Sequence, residues 1–171
     1  MPVTPFHFGP GLFGKALLPR WWSWTAFCAS NVAIDVEPLY YMTRGEPPLH
    51  RQLHTFLGAG LAGLAVAIVL VAMSRIPPLR AWFASRSPAL RAEGTPLGIA
   101  VGALAGALSH PVLDGIMHHD IEPFAPWTAA NPLQGLIGLR ALHLACVAAG
   151  LIGFAILIRQ STRSTSAQTG L

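Results

Sequence analysis

Three long apolar runs constrain the fold of this chain more than any other feature. They cover residues 53–74, 96–117 and 133–158. Each has at least the length of about 20 residues that a helix needs to cross ~30 Å of hydrocarbon. A shorter run, residues 21–36, opens with three tryptophans, which are typical of a membrane interface. The sequence therefore predicts an all-α integral membrane bundle of about four transmembrane helices, forming one domain over residues 1–160. The polar tail, residues 161–171, is expected to be disordered.

Composition supports a membrane protein and excludes a nucleic-acid-binding module. The chain is 53% hydrophobic and 11% charged, whereas soluble domains carry about 25% charged residues. Its net charge of +4 comes from basic residues scattered near the ends of the apolar runs, without a basic patch. The expected partner is the lipid bilayer. Cys28 and Cys146 lie singly in apolar stretches, so no disulfide framework or zinc knuckle is indicated.

The basic residues also predict an orientation. They precede the run 21–36, lie in the loop between the runs 53–74 and 96–117, and follow the run 133–158. They are Lys15, Arg20, Arg75, Arg80, Arg86, Arg91, Arg159 and Arg163. These positions share one side of a four-helix topology, which the positive-inside rule makes cytoplasmic. Both termini are then expected on the cytoplasmic side, with His7 away from the opposite face unless residues 1–12 fold back into the bundle.

Imidazoles and carboxylates gather at the ends of three predicted helices that meet on the non-cytoplasmic side. The first helix ends with Asp35 and Glu37, the second begins with His50 and His54, and the third ends with His110, Asp114 and His118. Residues four apart share one helix face. Imidazole with carboxylate suits zinc, and also manganese or iron. A bound cation would offset the unfavourable burial of charge in a membrane.

We therefore expect a divalent-metal site whose ligands are His50, His54, His110 and Asp114. Asp35 is expected to bind a second ion or to orient a ligand histidine. His118 is a further candidate ligand. The neighbouring His119 and Asp120 are expected to lie in a solvated loop.

Other polar residues have expected roles of their own, some with an alternative. Glu37 is the best candidate general base. Arg51 either binds a phosphate or carboxylate oxygen or extends to the interface. Arg140 and His143, inside the last apolar run, either line a functional cavity or form a structural pair with a neighbouring helix.

Four short motifs resemble those of the small inner-membrane proteins described as membrane-bound metal-dependent hydrolases, the YdjM-like group. The matching stretches are TPFHFGPG with His7, IDVEP with Asp35 and Glu37, HRQLHT with His50, Arg51 and His54, and LSHPVLDG with His110 and Asp114. The family's acidic pair usually reads PDxD and its second motif HRGxTHS, so both differ here. The resemblance implies a hydrolase of the bacterial inner membrane.

The function expected from the sequence is metal-assisted hydrolysis of a lipid-derived or membrane-proximal ester or phosphoester. One alternative is a translocator of metal ions or protons, in which the same groups form a transfer path. The other is a structural membrane protein whose polar cluster only ties helix ends together.

Overall fold

The computed structural model describes residues 5–85 and 91–169, with side chains as far as residue 163. The described residues form helices and contain no strand, which confirms the all-α class. The α-helices are α1 (Phe8–Leu17), α2 (Trp24–Arg44), α3 (Phe56–Ser74), α4 (Pro77–Ala84), α5 (Pro96–Met117) and α6 (Leu139–Thr169). Short 3₁₀ turns, Pro5–His7, Gln52–His54 and Ala92–Gly94, precede α1, α3 and α5.

Three of these helices have the length and hydropathy of membrane spans. They are α3, α5 and the first 25 residues of α6, Leu139–Arg163. Large apolar side chains on α3 and α6 point away from the protein, among them Leu61, Ile68, Leu144 and Leu151. An outward apolar surface on long helices is what a hydrocarbon environment favours. The described residues thus give a membrane protein with three candidate spans, and the expected count of four is not confirmed.

Helix boundaries agree with the sequence expectation in the centre of the chain and differ towards its ends. The run 96–117 coincides with α5, and the run 53–74 becomes α3 preceded by a 3₁₀ turn. The helix in the region of run 21–36 is longer than expected, because α2 continues to Arg44. It ends before Gly45, which has φ 66°. The last helix starts at Leu139 rather than 133 and continues to Thr169, so the tail expected to be disordered is helical that far. Arg86 lies outside the described residues.

Small residues let α5 pack closely against α2. A side-chain carbon at Gly102 would meet the Ser23 carbonyl, and one at Gly106 would meet the Phe27 carbonyl. Ser23 N–H donates to the Gly98 carbonyl at 2.9 Å, which fixes the two helix beginnings side by side. Close approach of this kind is common between membrane helices. Because the two helices start together and run in the same direction, their carboxyl-terminal halves reach the same end of the bundle.

The N-terminal segment corrects the predicted topology. Helix α1 begins at the end of the bundle where α2 and α5 finish, and it packs along α6, with Gly9 close to the Cys146 carbonyl. Its other end lies near the basic end, where Gln160 donates to the Ala16 carbonyl at 3.0 Å. Residues 5–7 therefore lie opposite the end expected for the N-terminus. Of the two alternatives given for His7, the structure shows the one in which the N-terminal segment folds back into the bundle.

Candidate metal centre

Four buried side chains from three helical segments converge at one end of the bundle. They are Asp35 on α2, His54 just before α3, and His110 and Asp114 on α5. One nitrogen or oxygen from each lies within 4.8 Å of the corresponding atoms of the other three. His54 and His110 are 0% exposed, and Asp114 is 3% exposed. The sequence expectation that these segments meet is confirmed.

The ring of His54 has a defined orientation. Its Nδ1 lies 3.1 Å from Glu37 Oε2. The same oxygen accepts the Arg51 backbone N–H at 2.8 Å, and the other oxygen accepts the Leu53 N–H at 3.0 Å. A carboxylate held in this way is an acceptor, so His54 Nδ1 carries the proton. In the neutral imidazole, which is the form that binds a metal, the lone pair of His54 is then on Nε2.

His110 is held in the same tautomer by an amide. Its Nδ1 lies 3.0 Å from Asn31 Oδ1. The amide nitrogen of Asn31 donates to the Phe27 carbonyl at 2.9 Å, which leaves Oδ1 facing the ring as an acceptor. His110 Nδ1 therefore donates, and its Nε2 also carries a lone pair. Orientation of ligand histidines through the second ring nitrogen is a recurring feature of protein metal sites.

The two lone pairs face each other. His54 Nε2 and His110 Nε2 are 3.3 Å apart. Asp114 Oδ2 lies 3.2 Å from the His110 nitrogen and 3.6 Å from the His54 nitrogen. Asp35 Oδ1 lies 3.5 Å from His110 Nε2. Two lone pairs and two carboxylate oxygens at these distances repel one another unless a cation lies among them. One proton can bridge only two of these atoms, whereas a divalent ion can take all four, so the donor set fits a metal.

His7 reaches this cluster from the N-terminal 3₁₀ turn. Its Nε2 lies 2.8 Å from Asp114 Oδ1, and its ring centroid lies 4.5 Å from that of His110. Apart from this contact, neither ring nitrogen of the buried imidazole has a polar partner among the described residues. Its position beside Asp114 makes His7 either a further ligand or a side chain that holds the carboxylate in place.

A second group shares Asp114 with the first. It consists of His50, His118 and Asp114, again with one potential ligand atom from each within 4.8 Å of the others. The rings of His50 and His118 are stacked with centroids 4.5 Å apart. His50 was expected to join the same set as His54 and His110, whereas the structure places it in this adjacent group.

Asp120 orients His50. Both carboxylate oxygens lie 3.0 Å from His50 Nδ1. Burial opposes ionisation of Asp120, but the hydrogen bonds from His50 outweigh it and lower the pKa of this carboxyl below its ordinary value. Burial and the neighbouring His54 in turn lower the pKa of His50. Asp120 is thus an acceptor for a neutral imidazole, and the expectation of a freely solvated side chain is wrong for it. His119 is exposed as expected.

The two expected catalytic residues are held mainly by other contacts. Glu37 accepts from two backbone N–H groups and His54, so its position is that of an orienting carboxylate. Arg51 donates to the carbonyls of Pro48 and Glu46, each at 3.0 Å. Its guanidinium carbon lies 3.5 Å from the centre of the Tyr41 ring. These contacts fasten the segment that links α2 to α3.

Two depressions open beside the second group. One, of about 240 Å³, is lined in part by His50, Arg51 and Glu122. The other, of about 630 Å³, is referred to below as the outer groove, and its lining residues are Pro47, Pro48, Leu49, His50, His118, His119 and Asp120. The ligand cluster is therefore buried on its first side and approachable on its second.

Arg140 and His143 are not part of the cluster. Arg140 is exposed. His143 stacks on Phe6 with ring centroids 4.1 Å apart, and its buried Nε2 has no hydrogen-bond partner within the described part of the chain. Of the two alternatives, the cavity is the one found, because Arg140 and His143 both line a depression of about 440 Å³. The pairing of His143 with a neighbouring helix is not found, since its ring partner Phe6 precedes α1.

Asn31 is the site residue that the sequence reasoning missed. It lies four residues before Asp35, which places both side chains on one face of α2. A lone amide in the apolar run WWSWTAFCASNVAIDV was the available signal.

Comparison of the chain with protein-family models, with curated proteins and with solved structures finds no match.

Proposed function

We propose that the protein is a membrane-embedded metal-dependent hydrolase acting on a lipid-derived or membrane-proximal ester or phosphoester. The observation that carries the proposal is the pair of His54 and His110 Nε2 lone pairs, 3.3 Å apart and flanked by two buried carboxylates. Zinc is the first choice for this donor set, with manganese or iron as alternatives. The motif resemblance to the YdjM-like group supports the same chemistry.

The roles of the residues follow from their contacts. His54, His110, Asp35 and Asp114 hold the ion, and Glu37 and Asn31 fix the two rings. A divalent cation held by these residues would supply the acidification of water and the polarisation of an ester oxygen on which hydrolysis depends. The outer groove gives a headgroup access from the membrane surface, and His7 stabilises the position of Asp114.

Position in the membrane follows from charge. The described basic residues near the opposite end include Lys15, Arg75, Arg80 and Arg159. We assign that end to the cytoplasm and the metal centre to the non-cytoplasmic face of the bacterial inner membrane.

A translocator fits the helices less well. From Phe56 to Ser74, α3 has no ionisable side chain, and α5 has none between Pro96 and Ser109. A path for ions or protons through the bundle requires such groups or a polar cavity. The imidazoles instead gather at one end, as expected for a site that binds and reacts there.

The first test is the metal content of detergent-purified protein carrying no histidine tag. Wild type is compared with His54→Ala and Asp114→Ala, and His119→Ala is the matched control because His119 is exposed and outside the cluster. We expect near-stoichiometric metal in wild type and His119→Ala and its loss in the other two, with circular dichroism confirming helicity. Wild-type protein that takes up no zinc, manganese or iron after reloading would overturn the proposal.

The second test separates hydrolysis from transport. The metal-loaded protein is assayed against amphiphilic phosphoesters and carboxylic esters, and in liposomes for metal and proton flux. Turnover that disappears in His54→Ala supports the hydrolase. Flux without turnover would replace it by the translocator.

A further inference from the structure

The ligand cluster has room for more than one ion. Asp114 belongs to both groups of potential ligands, with Asp35, His54 and His110 on one side and His50 and His118 on the other. The two groups are contiguous, because the His50 and His54 rings lie 4.7 Å apart between centroids. Carboxylates that bridge two cations are the usual link in two-metal hydrolytic sites, where the ions are about 3.5–4 Å apart.

The second group is organised for a ligand in its own right. Because His50 Nδ1 donates to Asp120, its lone pair is on Nε2. His50 is 8% exposed, so this nitrogen is withdrawn from bulk solvent. The arrangement repeats that of His54 with Glu37, in which a carboxylate fixes the ring and leaves Nε2 for a metal.

Both groups also lie among carboxylates. Four carboxylates, Asp35, Glu37, Asp114 and Asp120, surround the imidazoles of the two groups. The guanidinium of Arg51 is directed to the Tyr41 ring and backbone carbonyls. Each group of imidazoles therefore has carboxylates beside it, Asp35 and Glu37 at the first and Asp120 at the second, with Asp114 shared between them.

We infer that the protein binds two divalent cations bridged by Asp114, an inner one held by His54, His110 and Asp35 and an outer one held by His50 and His118 at the outer groove. This inference rests on the proposed function and adds a second ion to it. The outer ion faces the groove and is therefore the one that meets the substrate. The inner ion is enclosed by side chains that are almost fully buried.

The test is a manganese titration of protein stripped of metal by a chelator. We expect two Mn²⁺ per chain by mass spectrometry and an electron paramagnetic resonance spectrum of an exchange-coupled pair. His118→Ala and His118→Gln are expected to retain one Mn²⁺ with the six-line spectrum of an isolated ion. His119→Ala, the neighbouring histidine in neither group, is expected to retain two.

Each of the other possible results of the manganese titration contradicts a stated part of the inference. A single uncoupled ion in wild type would overturn the two-ion inference and leave the proposed hydrolase standing, whereas no bound ion would remove both. Two coupled ions that persist in both His118 variants would show that the outer ion is not held there. Because the wild-type spectrum alone reports the coupling, the result does not depend on the folding of any variant. A chelator is also expected to remove the outer ion first.

Discussion

At the scale of single residues, the side chains that orient the ligands matter as much as the ligands. Asn31 accepts from His110 Nδ1 and thereby decides which nitrogen of that ring faces the cluster. Asn31 is 1% exposed. Among the described residues, its side chain makes only this hydrogen bond and the one to the Phe27 carbonyl in its own helix. We regard it as a positioning residue.

Substitution of Asn31 tests this role. Asn31→Leu is expected to weaken metal affinity by about 10–100-fold, because the ring of His110 loses the acceptor that fixes its tautomer. Asn31→Asp keeps an acceptor at this position and should bind more tightly than the leucine variant. Metal affinity is measured by competition with a chromophoric chelator. Ser109→Ala is the control, since Ser109 lies beside His110 but donates to the carbonyl of Gly106 in its own helix. Equal affinities for wild type and Asn31→Leu would contradict the assignment.

The cluster of potential ligands could be predicted from the sequence, but the contacts that support it could not. Asp35, His54, His110 and Asp114 stand out because ionisable side chains are unfavourable in apolar helices. Whether Glu37 is a base or an orienting group depends on the direction of its hydrogen bonds, and these come from backbone N–H groups of a turn that the sequence pattern does not define. The division of His50 and His54 between two groups likewise arises from that turn.

At the scale of helices, the contact between α2 and α5 sets the distance between the ligands that each carries. Gly106 lies against the Phe27 carbonyl and close to the Asn31 amide, so α2 can approach only because no side chain intervenes. Gly60, on α3, offers a contrast because a carbon added there would have its nearest neighbour, Leu108 Cδ2, at 3.8 Å.

Gly106→Ala is therefore expected to lower stability by about 1–3 kcal/mol, the usual effect of overpacking, and to weaken metal binding as well. Gly60→Ala should leave metal binding unchanged and raise stability by about 0.4–1 kcal/mol, because alanine favours a helix over glycine where there is room. Thermal unfolding and chelator competition measure the two quantities. An alanine at position 106 that binds metal as tightly as wild type would show that the site does not depend on this contact.

The opposite end of α2 is closed by Glu93. This carboxylate accepts from Lys15 Nζ at 2.7 Å, from Ser23 Oγ at 2.8 Å, and from the backbone N–H groups of Trp24 and Thr25. Burial opposes its ionisation, but the hydrogen bonds and the charge of Lys15 outweigh it and lower its pKa below the ordinary value of 4.5. No structural role was predicted for Glu93 from the sequence, because its partners on α2 are about 70 residues away along the chain.

A lowered pKa has a defined consequence for stability. Ionised Glu93 favours the folded state, so its contribution is complete above pH 4.5 and is lost as the pH falls from 4.5 through the folded-state pKa. Glu93→Gln, which removes the negative charge of the buried Lys15–Glu93 pair, is expected to cost about 3–5 kcal/mol at neutral pH. It should also flatten the pH dependence of the melting temperature below 4.5. Glu46→Gln is the control, since the Arg44–Glu46 pair is exposed and expected to contribute about 0–1 kcal/mol.

Helices were predicted well where length and apolarity coincide, as in α3 and α5. Helix α1 was missed because its ten residues, with glycine and proline among them, are too few to cross a bilayer. The extension of α6 into the polar segment was missed because hydropathy reports the membrane boundary and not the end of the helix.

At the scale of the whole molecule, the centre joins segments that are distant in sequence. Its potential ligands come from before α1, from α2, from the start of α3 and from the end of α5. A cation bound among them acts as a cross-link between helices. It binds the folded state in preference to the unfolded one, so it should stabilise the fold.

Metal removal is accordingly expected to lower the melting temperature. Adding zinc or manganese at 100 times the dissociation constant should raise the free energy of unfolding by about 2.7 kcal/mol. Intrinsic tryptophan fluorescence during heating in detergent measures the shift. The same concentration of Mg²⁺ is the control, because histidine-rich sites favour transition metals. His54→Ala should show no shift with either ion, and an equal shift in wild type and this variant would contradict a specific site.

The one-sided opening of the cluster also bears on metal supply in the cell. The outer groove lies at the end opposite the basic loops, and the apolar lengths of α3 and α5 separate the ligands from that basic end. With the proposed orientation, ions would load from the compartment that the groove faces. The occupancy of the centre would then follow metal availability outside the cytoplasm, so that starvation or excess of metal there would change it while the cytoplasmic pool stays buffered.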